Sequence, residues 1–240
     1  MALNDDSRPV RKVFTNRAGG VSHAPYDSFN LGDHVGDDPA AVAANRDRLA
    51  SVIGLASERL VWMEQIHSPN VTVVSGPVAE PVEATDALVT TQRGLALVVL
   101  TADCVPVLLS DHEAGVIAAV HAGRMGARNG IVAKTVEQMV SLGATPARIH
   151  ALMGAAASGE NYEVPRAMAE DVESRLPGSL VRTPQGTWGL DIRAGLIRQL
   201  LSLGVTAIDS DPRCTVADTS FFSYRREGTT GRQAGVVWLP

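Results

Sequence analysis

Short apolar runs dominate the middle of the chain. Leu95 to Leu100, Val105 to Leu109 and Val116 to Val120 are almost uninterrupted by polar residues, the pattern of strands buried on both faces. Val10 to Phe14, Leu60 to Trp62, Val71 to Val74, Ile149 to Met153 and Gln233 to Leu239 read as further strands. Helical spacing appears between them. Asp38-Pro39 predicts a capped start, Val42, Leu49, Val52 and Ile53 supply the stripe, and Gly54 stops it. Asn129 is expected to cap a helix through Ile131, Val132, Val136 and Met139 that ends at Gly143. Further helices are expected from Pro165 to Leu176 and from Asp191 to Leu203, the second stopped by Gly204. Gly228 to Gly231 reads as a hairpin-like turn. No repeat, low-complexity tract or linker divides the chain. The pattern therefore predicts one compact α/β (α+β) domain over 1–240, with residues 1–9 disordered.

Composition narrows the function classes. The 240 residues are 45% hydrophobic and carry Lys+Arg 21 against Asp+Glu 26, a formal charge of -5. That balance predicts no nucleic-acid partner, because sequence-independent binding needs a basic footprint. The run Gly94 to Ala102 is about half the length that spans a bilayer. Met1 to Arg11 lacks an apolar signal region, so a cytoplasmic protein without a membrane partner is expected. The two cysteines, Cys104 and Cys214, are then expected to be reduced, each a small hydrophobe, a nucleophile or a metal ligand.

Three metal-capable side chains end apolar runs: His67, Cys104 and His121. Their separations fit no short zinc-finger spacing, and a lone histidine or cysteine at a strand end more often packs than ligates. Strand ends in one sheet nevertheless converge in space. Two imidazoles and one thiolate would form a three-ligand site with a fourth position open, the pattern of catalytic rather than structural zinc. A Cys104–His121 nucleophile–base pair needs only two of these groups. His23, His34, His112 and His150 read as loop or surface residues. Arg17-Ala18-Gly19-Gly20 could present an arginine and backbone N–H groups to an anion, or simply form a turn needing positive φ. Arg225, Arg226 and Arg232 flank the Gly228 turn, a cluster that is commonly solvated but also suits phosphate or carboxylate.

Several segments resemble the laccase-domain family, also known as polyphenol oxidase, peptidoglycan editing factor or YfiH-like proteins. They are Phe14–Ser22, Phe29–Asp38, Gln65-Ile66-His67, Thr101–Pro106, Ala119-Val120-His121-Ala122-Gly123 and Phe221–Arg226, in the family's order. The resemblance implies one α/β domain with mixed sheets flanked by helices. It implies a zinc site, with copper as the other metal, held by His67, Cys104 and His121. It also implies purine nucleoside chemistry: phosphorolysis of adenosine, inosine, guanosine and methylthioadenosine, and adenosine deamination, with nucleoside and phosphate as small-molecule partners. On this reading Cys104 and His121 are catalytic and Arg17 contacts the anion; no equivalent of the glutamate that moves protons in other zinc deaminases is identified, and Asp103 is the neighbour to test as a catalytic group. Asn30 and Gln65 are further substrate contacts.

Two departures bear on substrate. The family pattern continues His-Ala-Gly with Trp-Arg-Gly, where this chain has Arg124-Met125-Gly126; if the family's arginine binds phosphate, either Arg124 or Arg128 replaces it or phosphorolysis is weakened. The segment Gly154 to Val164 lacks the family's proline and cysteine. Three other classes compete: a cysteine hydrolase acting on a cell-wall precursor through Cys104, a copper-dependent phenol oxidase, and a non-catalytic binding module. A full laccase draws on paired His-x-His motifs, and none occurs among the six histidines.

Overall fold

The computed structural model describes residues 10–240, so the expectation for residues 1–9 lies outside the described residues. Two sheets stack face to face. The larger has six strands in the order β11-β8-β6-β7-β4-β3. These are β3 (Val71–Val73), β4 (Ala87–Thr90), β6 (Val105–Asp111), β7 (Val116–Ala122), β8 (His150–Met153) and β11 (Ala207–Ser210). The smaller runs β1-β12-β5-β2, from β1 (Arg11–Phe14), β12 (Gln233–Trp238), β5 (Ala96–Thr101) and β2 (Leu60–Val61). A separate hairpin pairs β9 (Leu180–Arg182) with β10 (Trp188–Leu190).

The continuous apolar runs follow from layering. Successive side chains of a strand point to opposite faces. On β7, Val116, Ala118, Val120 and Ala122 join one core, while Ile117 and Ala119 join the core between the sheets with Leu97, Val99, Leu108 and Val237. On β5, Ala96, Val98 and Leu100 face a third core that includes Leu49 and Ala50 of α1 (Pro39–Ile53). Both faces are covered, so no polar alternation survives, although β6 with β7 and β5 with β12 are antiparallel.

The outer helices are α3 (Ile131–Ser141), α4 (Arg166–Arg175) and α5 (Ile192–Ser202), with α2 (Arg124–Arg128) a short turn before α3. The caps of α1 match expectation: the Asp38 side chain accepts from the Ala40 N–H, and Gly54 closes the helix at φ 76°. Asp191 likewise caps α5 by accepting from Ala194. The predicted Asn129 cap of α3 is corrected. The cap residue is Gly130 at φ 82°, and the Asn129 side chain instead accepts from Arg128. The Gly228 turn closes α6 (Tyr224–Glu227), not a hairpin.

Candidate metal centre and cavity

The chain crosses from one sheet to the other between β5 and β6, and Cys104 lies on that crossing. β7 runs beside β6, placing His121, opposite Pro106, next to it. The loop after Trp62 brings His67 over the same point. The ligand-capable atoms of His67, Cys104 and His121 lie within 4.8 Å of one another, and Cys104 Sγ is 3.8 Å from His67 Nε2. The two imidazole rings meet edge to face at 4.7 Å. Gly123 makes this approach possible: a Cβ there would stand 2.7 Å from His67 Cδ2 and 3.0 Å from Cys104 Sγ.

Asp86, which the sequence reading did not single out, organises the cluster from behind. It is fully buried, and its Oδ1 lies 2.8 Å from His121 Nδ1, leaving Nε2 for the cluster. The same carboxylate accepts from the N–H groups of Ile66, His67 and Ser68 and from the Ser68 hydroxyl. Those bonds hold His67 at φ 61°, in the left-handed region that residues with a Cβ seldom occupy. A histidine whose second nitrogen meets a carboxylate is the usual arrangement behind a metal ligand.

The electrostatics favour a thiolate. Burial pushes the Cys104 thiol up, but the His121 and His67 imidazoles outweigh it and lower its pKa to about 6. Burial works against a charged His121, and the Cys104 sulfur and Asp86 carboxylate raise its pKa nonetheless. Two imidazoles and a thiolate are a donor set that zinc and copper both accept. The residues present therefore fit such an ion, with His67, Cys104 and His121 as its holders.

The cluster faces a cavity of about 610 Å³ whose lining includes Arg124, Tyr162, Tyr224, Arg225 and Arg232. Among the described residues, none of these arginines has a carboxylate within 4.0 Å. Arg124 Nη1 approaches the Met125 sulfur at 3.3 Å, Arg225 lies 5.0 Å over the Tyr162 ring, and Arg232 Nη1 donates to the carbonyls of Thr230 and Gly231. Arg124 thus supplies a cavity arginine one position before the family's usual one. Arg128 points elsewhere, paired with Asp171.

Other expected site residues are engaged differently. Arg17 is not part of the cavity lining; it pairs with Glu227 at 2.8 Å, donates to the Asp27 carbonyl and stacks 4.9 Å over Phe222. Its glycine-rich segment is the turn of the second reading, with Gly19 at φ 96°. Asn30 is buried and bonds Gly32, Asp37 and the Arg232 N–H, so it orders the loop that presents Arg232. Gln65 lines the cavity, but its amide clamps both backbone groups of Leu100. Asp103 borders the cavity at φ 110°, its two oxygens accepting from the Thr215 hydroxyl and the Arg225 N–H. It braces three segments there. His34, read as a loop residue, does lie on a loop and also lines the cavity. In the arginine cluster, Arg226 turns inward to the carbonyls of Thr215, Val216 and Phe221 while Arg225 and Arg232 face the cavity. Cys214 is apart from the cluster, its sulfur accepting from the Ser158 N–H.

Comparison with known proteins bears on this arrangement. Residues 11–240 match the family model described as multi-copper polyphenol oxidoreductase laccase. A purine nucleoside phosphorylase of Corynebacterium glutamicum is 75% identical over 241 residues, covering 100% of this chain and 98% of the relative. One of Mycobacterium tuberculosis is 59% identical over 230 residues, covering 96% and 92%. The structure superposes on Bacillus licheniformis YfiH with a TM-score of 0.90 at 29% identity, covering 96% of this chain and 93% of that one. For YlmD of Geobacillus stearothermophilus the values are 0.89 and 31%, covering 99% and 94%. No helix among the described residues is long and apolar enough to cross a membrane. The chain therefore belongs to the laccase-like family of YfiH proteins, whose relatives here carry the name purine nucleoside phosphorylase.

Proposed function

We propose that the cavity binds a purine nucleoside with inorganic phosphate and splits the N-glycosidic bond by phosphorolysis. One observation carries this reading. Three arginines without ion-pair partners among the described residues, Arg124, Arg225 and Arg232, share a cavity with the His67–Cys104–His121 cluster. Guanidinium forks match phosphate oxygens, and such charge-assisted bonds are among the stronger ones available to a side chain. The names of the Corynebacterium and Mycobacterium relatives support the same assignment.

In this reading the arginines hold phosphate with one oxygen toward C1′ of the ribose. That oxygen forms the new C1′–O bond as the C1′–N9 bond breaks, and the bonding pair leaves with the purine. The leaving base takes up a proton, and Tyr162 is placed to provide one. Burial raises the pKa of its phenol, so it keeps its proton at neutral pH. The faces of Tyr162 and Tyr224 offer stacking surface to the base. A zinc or copper ion held by His67, Cys104 and His121 would supply Lewis-acid polarisation of an oxygen at the cavity floor.

Adenosine deamination is the second reading, favoured by the exposure of the same cluster to the cavity, because that reaction needs water rather than phosphate. Product analysis decides between them. Metal-supplemented protein given inosine should yield hypoxanthine and ribose 1-phosphate only when phosphate is present. Failure to consume inosine at any phosphate concentration overturns the proposal.

A further inference from the structure

The sheet edges away from the cavity hold a second group with nucleophile–base geometry. Lys12, on β1 of the smaller sheet, places Nζ 3.0 Å from His150 Nδ1 and 2.8 Å from the His150 carbonyl. His150 begins β8 of the larger sheet, and its Nε2 lies 2.9 Å from Asp209 on the neighbouring β11. An amine within reach of an imidazole that a carboxylate orients is the arrangement that activates nucleophiles. The His150 and Asp209 side chains reach solvent, 40% and 74% exposed, while Lys12 is half-buried beside them. None of the three residues lines the cavity described above.

We propose that Lys12 is a nucleophilic amine that condenses with small uncharged aldehydes to form a Schiff base. The uncharged class follows from Asp209, whose carboxylate disfavours anionic reagents at the same spot. In the reaction the Lys12 nitrogen attacks the carbonyl carbon, and one of its protons passes through His150 to the carbonyl oxygen, giving the carbinolamine. The second N–H proton then passes through His150 to the hydroxyl, which leaves as water as the C=N bond forms. Asp209 keeps the ring oriented and stabilises it while protonated.

The surroundings support a free amine. Burial pushes the Lys12 ammonium down to about 7, with Asp209 pulling the other way. Among the described residues, the charged or titratable groups facing it are His150 from β8 and Asp209 from β11, while Arg11, its neighbour on β1, is exposed on the other face of the strand. An amine with the ordinary value is free to only a few parts in ten thousand at pH 7, so the difference in reactive population is about a thousandfold.

The chain has an internal reference, because Lys134, exposed on α3, is its only other lysine. Intact protein is treated with limiting formaldehyde and cyanoborohydride, and methylation at each lysine is followed by peptide mass spectrometry. At pH 7 Lys12 should label at least about tenfold faster than Lys134, the excess in free amine being reduced by partial burial. The advantage should shrink by pH 10. His150→Gln should slow Lys12 at least about fivefold without affecting Lys134, with circular dichroism verifying the fold. Equal or slower labelling of Lys12 at pH 7 in the wild-type protein overturns the proposal and makes the trio a structural clamp. So does a His150→Gln variant that folds and labels unchanged.

Discussion

Asp86 Oδ1 stands 2.8 Å from Nδ1 of His121 and also accepts the backbone N–H of His67. One buried carboxylate therefore fixes the ring of one candidate ligand and the backbone of another. Asp86→Asn keeps the shape but gives up an acceptor that several donors share. It should weaken zinc binding roughly 10- to 100-fold, the usual loss when such a partner is removed. Competition with a chelator of known affinity measures this. Unchanged affinity in a folded variant would leave Asp86 with a purely structural role.

Gly123 tests how tightly the cluster is packed. In Gly123→Ala the new methyl group meets His67 Cδ2 and Cys104 Sγ, so one ligand must move. Metal content should fall, whereas the cores built around Leu97, Leu108 and Val120 should persist. Zinc per chain by atomic absorption, alongside the melting temperature, separates the two effects. Full metal occupancy in this variant would contradict the observed geometry.

The three cavity arginines should differ from Arg17 in kinetics. Arg124→Ala, Arg225→Ala and Arg232→Ala each remove a guanidinium from the cavity. Loss of one charge-assisted contact costs about 1.5–3 kcal/mol, or roughly 10- to 150-fold in kcat/KM for phosphate. Arg17→Ala should instead loosen α6 through Glu227 and reduce nucleoside and phosphate kinetics together. A phosphate-selective defect in Arg17→Ala alone would restore it as the anion contact.

Glu227 gives a pH signature for that brace. Burial pushes its carboxyl up, but Thr230, Arg226 and Arg17 outweigh this and hold its pKa at about 2. The unfolded chain then binds a proton before the folded one does. The stabilisation is complete above the unfolded value of about 4.3 and is lost as pH falls toward 2. Glu227→Gln should be less stable by about 1–2 kcal/mol at pH 7. Its melting temperature should approach that of the wild type below about pH 4. A gap that stays constant down to pH 2.5 would contradict the assignment.

Much of this site is legible in the sequence, and the remainder is hidden for definable reasons. His67, Cys104 and His121 each interrupt or end an apolar run, and strand ends are where chemistry collects. Asp86 gives no such signal. It precedes β4, and its role arises only when β4 pairs with β7 and Ala87 faces Val120. Arg17 misleads because its partner Glu227 is 210 residues away, and no local pattern reports a neutralised charge. Strands β5, β6, β7 and β12 are readable to within about two residues, since both faces of each are covered, whereas β4, β9, β10 and β11 give no comparable apolar run. Their antiparallel pairing is not, because the same double burial erases the alternation that would announce it. Asn129 misleads because its cap position falls one residue early, and Gly130 supplies the left-handed turn that α3 requires.

The central claim is tested most directly by following adenosine and phosphate in water enriched in oxygen-18, with the metal-supplemented protein. Phosphorolysis makes the new C1′–O bond with an oxygen of phosphate, whereas hydrolysis and deamination both introduce oxygen from solvent. The account predicts adenine and ribose 1-phosphate at natural mass, with their formation abolished when phosphate is omitted. Consumption of adenosine solely to inosine carrying one heavy oxygen, or to adenine and free ribose without ribose 1-phosphate, would contradict it.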